Sequence, residues 1–368
     1  MPSGDLRETI SVFARLGVIA FGGPVAHIAM MREELVRRRG WVDDQRFVDL
    51  MGATNLIPGP NSTELAMHLG HERAGWRGLL AAGLCFILPA ATIVTFLAWI
   101  YVRYGTTPSF TALLYGVVPV VLGIVAHALV SLVPTVFAEA WRVLLAVAAL
   151  VAFFVGVNEL LILAVGGAVA GVSTLRVRGS TSALVVPLAW FGGDTGQLSQ
   201  LFWTMLKIGA VLYGSGYVLL AFLEGDFVDR LGWISQQQLL DAVAIGQVTP
   251  GPLFTTATFI GYLVAGVPGA FVATVAIFAP SFVFVGLLTR ITDHLRSRTW
   301  TARALDGLNA AAFALMVGVT WQLGRGALVD PVTVLLALGA LAALRWTSLN
   351  SAWLIAAGAL IGLLCGLG

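Results

Sequence analysis

The residues best suited to chemistry cluster around two triplets set inside hydrophobic runs, Pro58-Gly59-Pro60 and Pro250-Gly251-Pro252. Proline lacks a backbone donor and disfavours helix in the residue before it, so helices should stop at Ile57 and Thr249. Proline is also at home where a helix begins, so new helices are expected from Asn61 and Leu253. A helix that starts inside a membrane presents unsatisfied N–H groups and the positive end of its dipole. Such an end attracts anions, and a tetrahedral oxyanion can accept several N–H bonds at once. The flanks are polar: Thr54, Asn55, Asn61, Ser62 and Thr63 at the first triplet, Gln247, Thr249, Thr255 and Thr256 at the second. Neutral groups of this kind can replace water around a dianion without a fixed positive charge. They serve equally well as caps and turn residues, so both roles stay open.

A second kind of break is Phe21-Gly22-Gly23-Pro24, matched by Tyr213-Gly214-Ser215-Gly216, which keeps the flexibility and loses the proline. Upstream of these lie Arg15 and Lys207, the only lysine in the chain. Charges within spans are costly and usually face a cavity or a partner. The pair is expected to act as gates or charge balancers for an anion, with snorkelling as the structural alternative. Glu64, His68 and His71 follow one helical face, but no Cys or Asp completes a metal set. Glu64 reads instead as a proton-handling carboxylate, and the two histidines as solvated hairpin-edge residues. Asp49 and Asp241 stand at matching places before the breaks, where pairing with Arg46 or loop arginines would serve either structure or coupling.

These residues must be carried by membrane helices. Of 368 residues, 58% are hydrophobic and 11% charged, which excludes a soluble domain. The two cysteines, Cys85 and Cys365, lie in apolar segments and supply neither a disulfide framework nor a metal motif. No nucleotide-binding phosphate loop is present. Matching residues recur at one offset: Gly40-Trp41 as Gly232-Trp233, Asp49 as Asp241, Pro58 as Pro250. After the triplets the offset shortens by one residue, so Gly70, Gly75, Gly78 and Pro89 match Gly261, Gly266, Gly269 and Pro280. The chain therefore divides into an N-terminal repeat (1–175), a linker (176–199) and a C-terminal repeat (200–368). Duplicated halves with paired helix breaks are a transporter signature, and the breaks point at the substrate site.

The fold class expected is an all-α polytopic membrane protein. It has two inverted repeats of about five spanning helices each, with a broken, re-entrant Pro-Gly-Pro hairpin in each half. In the first half the spans fall near 9–31, 77–102, 110–133, 141–157 and 159–175. A basic loop follows the first span, and a separate short helix covers 61–71. An odd number of crossings inverts the second half. Arg32 to Arg39 carries four arginines, whereas Glu224 to Leu231 carries three acids against Arg230, which agrees with inversion. Most of the 21 lysines and arginines fall on one face, which should be cytoplasmic. That places the linker inside and both termini outside.

Leu16-Gly17, Phe21-Gly22-Gly23-Pro24, Arg32-Glu33-Glu34, Gly40-Trp41 and Pro58-Gly59-Pro60 resemble the chromate ion transporter family. Gly232-Trp233 and Gln247-Val248-Thr249-Pro250-Gly251-Pro252 look like its second repeat. Where family members often carry Gln before the first triplet, this chain has Asn55; the second copy keeps Gln247. The resemblance implies a fused two-repeat exporter of chromate, a tetrahedral dianion close to sulfate, in the bacterial cytoplasmic membrane. Substrate contacts are expected from Gly22, Gly23, Asn55, Pro58, Gly59, Asn61, Ser62 and Thr63, and from Gly214, Ser215, Gln247, Thr249, Gly251 and Thr255. Coupling or gating falls to Arg15, Lys207, Glu64, Asp49 and Asp241. Expected partners are chromate or a sulfate-like oxyanion, protons as coupling ion, membrane lipid and a second copy in a homodimer, with no nucleic acid, metal or cofactor. A sulfate exchanger, a passive anion channel and a membrane-embedded enzyme are the rival readings.

Overall fold

The computed structural model describes residues 5–21, 23–54, 56–105, 107–136, 138–172, 196–213, 218–295, 299–347 and 349–366, all helices and connections without a strand. The first half comprises α1 (Leu6–Ile19), α2 (Gly23–Met31), a π-helical stretch Arg32–Arg38, α3 (Asp44–Thr54), α4 (Asn61–Tyr104), α5 (Pro108–Val136), α6 (Ala140–Phe154) and α7 (Glu159–Val172). The second comprises α8 (Gln197–Val211), α9 (Leu219–Leu223), a π-helical stretch Glu224–Arg230, α10 (Gln236–Val248), a 3-10 turn Leu253–Thr255, α11 (Thr256–Leu295), α12 (Thr299–Ala327), α13 (Pro331–Trp346) and α14 (Ser351–Gly366). Among the described residues, α4, α5, α11 and α12 are long and apolar enough to cross a membrane, and α6, α7, α13 and α14 are shorter apolar helices.

The segment 9–31, expected as one crossing, folds back on itself. Glu8 near the start of α1 accepts a hydrogen bond from Arg39 at 2.7 Å, and the rings of Phe13 and Trp41 meet at 6.2 Å. A straight helix from Glu8 to Arg39 would separate them by roughly 45 Å at 1.5 Å per residue. The chain reverses between α1 and α2, where Gly23 adopts φ 77, a conformation open to glycine. In the second half, Lys207 on α8 reaches Asp226 at 2.6 Å, which shows the same return. The N-terminal helix therefore starts on the face that carries the loop arginines, not on the opposite one. The expected basic loop is also helical. Its π geometry brings residues five apart onto one side, where Arg38 meets Glu33 and Arg39 meets Glu34.

Arg46 on α3 is paired with Glu72 on α4, so in the first half the two arms run antiparallel with the triplet at their tip. The short helix expected over 61–71 is present as the first arm of α4, set apart from the long second arm by non-helical backbone. It continues to Arg73 and turns sharply at Ala74–Gly75, where Gly75 has φ 60. Gly70 then packs directly on Gly78, so the arms on either side of the turn lie back to back. Ala265–Gly266 makes the same turn in α11, with Gly261 on Gly269.

The two halves interlock. α5 packs on α13 and α14, while α12 packs on α6 and α7. Glycines permit these approaches: Gly116 lies against Gly358 and Gly362, and Gly307 against Gly166. Where α4 crosses α11, Trp76 lies against Gly286 and Gly83 against Phe282, so these equivalent helices run antiparallel. The inversion of the repeats is thus visible in direct contacts rather than in a count of crossings.

Candidate functional site

The four breaks converge. The N–H of Gly59 donates to the carbonyl of Leu212, which closes α8, at 2.8 Å. Reciprocally, the N–H of Gly251 donates to the carbonyl of Ala20, which closes α1, at 2.9 Å. Each Pro-Gly-Pro tip is therefore tied to the hairpin turn of the other repeat. Gly59 (φ 139) and Gly251 (φ 98) hold backbone angles that favour glycine, and both amides are consumed by these ties. Helix α4 begins at Asn61 after Pro60, and the 3-10 turn begins at Leu253 after Pro252, neither with a side-chain cap.

The polar side chains near the breaks divide by what their donors do. Thr54, Thr249, Thr255 and Thr256 each donate the hydroxyl to a carbonyl of the same turn, those of Met51, Ile245, Pro252 and Leu253. In that arrangement they offer a ligand only acceptor lone pairs. Thr63 Oγ1 and Gln247 Nε2, by contrast, are buried and have no partner. Buried donors are almost always satisfied, so such atoms call for an explanation, and a bound guest is one. Ser62 Oγ lies 3.3 Å from His27 Nδ1, and His27 Nε2 lies 3.0 Å from the carbonyl of Ala20. His27 thereby joins the turn after α1 to the start of α4, a role the sequence reading missed. Asn61 and Pro58 are half-buried, whereas Pro250, Gly251 and Pro252 are fully buried. Asn55, Gly22, Gly214 and Ser215 lie outside the described residues, as does 173–195, most of the expected linker.

The expected gating residues are more constrained than supposed. Lys207 is held by Asp226, which also binds Arg230 at 2.9 Å. Arg15 is exposed and lines an outer cleft with Glu33, Glu34 and Arg38. Asp241 is buried and, among the described residues, pairs with no arginine; it accepts from Tyr101 at 2.7 Å and from Gln237 at 2.9 Å. The phenol at the far end of α4 reaches it first because the repeats interlock. Asp49 is half-buried and accepts from Gln45 at 3.3 Å, the equivalent of the Gln237 contact. His68 is buried rather than solvated, with Nε2 unpartnered, because the sharp turn at Gly75 folds the rest of α4 over it. Glu64 is fully buried and accepts from Ser281 of α11 at 3.1 Å. No group of three or more metal-binding side chains occurs among the described residues.

A profile described as chromate transporter matches residues 7–172 and 199–363. The chain belongs to the chromate transporter family. Its two matched stretches coincide with the two halves that interlock above. A chromate transport protein of Cupriavidus metallidurans is 33% identical over 98% of this chain and 94% of its own length. A probable chromate transport protein of Synechococcus elongatus is 32% identical over 92% and 90%. An uncharacterized transporter of Methanocaldococcus jannaschii is 26% identical over 84% and 82%. No solved structure matches. Family and apolar helices together make this a multi-pass membrane protein, of a transporter class rather than an enzyme class.

Proposed function

We propose that the protein is a secondary transporter that exports chromate across the bacterial cytoplasmic membrane by alternating access. The guest is held between the two Pro-Gly-Pro tips. The observation that carries this reading is the reciprocal pair Gly59–Leu212 and Gly251–Ala20, which brings uncapped helix starts from opposite repeats to one place. Thr63 Oγ1 and Gln247 Nε2 are the donors, and a tetrahedral dianion has the oxygens to engage both together at the helix starts. Pro58 of the first tip is partly exposed where its counterpart Pro250 is buried, an asymmetry that supports a site opening to one side at a time, which a passive channel does not need. The sequence holds no nucleotide-binding loop, so the driving force is an ion gradient or the membrane potential. An inside-negative potential favours outward movement of a dianion by about 2.3 kcal/mol per charge per 100 mV.

The test is flux of labelled chromate into everted vesicles and purified proteoliposomes, with sulfate as competitor. Saturable chromate movement that depends on Gln247 and Thr63 is expected. Unsaturable flux indifferent to both residues would leave a pore rather than a carrier.

A further inference from the structure

We infer that Glu64 is a proton site, and that the oxyanion occupies the space between the tips only together with a proton on this carboxyl group. The inference rests on the transport reading above and assigns that site its coupling ion. Glu64 stands in the first turn of α4 and is completely cut off from solvent. Its Oε1 accepts from Ser281, and its Oε2 has no partner at all. An ionised carboxylate needs a cation or several donors to survive such burial, and one serine hydroxyl falls short of that.

The groups facing it from every packed element supply no cation. On its own helix the next turn carries His68, whose Nε2 is itself unpartnered. From α2 comes His27, engaged with Ser62 and Ala20. Beyond α8 stands Tyr213, within electrostatic reach of the carboxyl. On α10, Asp241 is engaged by Tyr101 and Gln237, and on α3 Asp49 is the acid nearest the tip. Arg15 on α1 is turned to the outer cleft, and among the described side chains of α11 it is Ser281 that bonds the carboxyl. No lysine or arginine among the described residues forms an ion pair with Glu64.

Position gives the carboxyl its function. Its Oε1 lies directly over Gly59, so close that a Cβ there would fall upon it. It therefore borders the space assigned to the anion. An ionised Glu64 would repel a dianion in that space; a protonated one presents an O–H to it from Oε2. The second repeat has no such group. Thr255 and Thr256 stand at the equivalent place, Ala90 takes the position of Ser281, and Gly251 faces the Ala90 methyl. A dianion leaving with this one proton carries a single net negative charge.

The experiment uses sulfate and chromate uptake by the full-length protein in liposomes across a pH series. Sulfate is the primary probe because its own protonation lies far below the working range. In wild type, apparent affinity for sulfate should weaken about tenfold per pH unit on the alkaline limb, the slope of one linked proton. In Glu64→Gln it should be flat. Ser281→Ala, which removes the one bond that favours the ionised form, should keep the slope and move its midpoint to higher pH. This variant carries the test should Glu64→Gln not assemble. A slope that survives in Glu64→Gln, a flat wild type, or an unmoved midpoint in Ser281→Ala overturns the proton site while leaving transport intact. A wild type that moves neither anion at any pH overturns the transport reading itself.

Discussion

Replacing Gln247 by leucine separates a ligand contact from a structural one. Its Nε2 is buried without a partner, next to a tip whose neighbouring hydroxyls have already donated elsewhere. If that nitrogen donates to the oxyanion, its loss removes a hydrogen bond to a charged group, about 1.5–3 kcal/mol. At 1.4 kcal/mol per decade, chromate and sulfate should bind roughly ten- to hundredfold more weakly. The unliganded protein loses no bond from Nε2, and is relieved of burying an unsatisfied donor. Its thermal unfolding temperature in detergent should therefore stay level or rise. Thr255→Val is the contrasting variant: its hydroxyl donates to the Pro252 carbonyl at 2.8 Å, so stability should fall by about 0.5–1.5 kcal/mol. Its effect on affinity should be smaller than that of Gln247→Leu. Competition uptake in proteoliposomes gives the affinities, and unfolding monitored by tryptophan fluorescence gives the stabilities. Wild-type affinity in Gln247→Leu, or an affinity loss matched by a similar loss of stability, would refute the assignment.

Gly251→Ala should destabilise the protein by about 2–5 kcal/mol, from a left-handed alanine and from overlap with the Ala90 methyl, 2.6 Å from the added carbon. Adding Ala90→Gly should recover only the steric part, so a double-mutant cycle showing strict additivity counts against the contact. Glu224, between α9 and α10, is pushed up to about 7 by burial and by the neighbouring charge of Asp229. The folded state thus holds this proton where the unfolded chain has lost it, and stability should fall as pH rises from 4.5 towards about 7, then level off. Glu224→Gln should flatten that part of the unfolding-temperature profile, and an unchanged profile would show that another group is responsible.

Some of this architecture was legible because it depends on residues close together in the chain. Proline and glycine dictate local backbone, so the triplets and the helix start at Asn61 follow from identity alone. The fold-back of α1 on α2 does not. A run of twenty-odd apolar residues has the same hydropathy whether it crosses or returns, and what distinguishes them is a contact between Glu8 and Arg39. Hydroxyls near the tips posed the same difficulty: sequence shows that Thr249 and Thr255 are polar, but not that their protons face carbonyls of their own turns. His27 carries no signal in the sequence because both its partners, Ala20 and Ser62, meet it only once two hairpins pack. Lys207 read as a lone intramembrane charge because Asp226 comes near it only after the same return.

The repeat offset, which is legible, explains why the site forms where it does. When equivalent helices of two copies run antiparallel in contact, a backbone bond from the first copy to the second is expected to have its mirror, since it does not depend on side-chain identity. Gly59 to Leu212 therefore brings Gly251 to Ala20, and two tips meet through one geometric relation. Symmetry by itself gives two equal half-sites and no preference between faces. The departures from it set the direction of the chemistry: Glu64 with Ser281 on one side against Thr256 with Ala90 on the other, and Asn55 against Gln247. A variant that restores the symmetry, Glu64→Thr with Ser281→Ala, keeps the tip-to-tip ties while it removes the one acid between them. It tests whether the scaffold binds the anion without the proton.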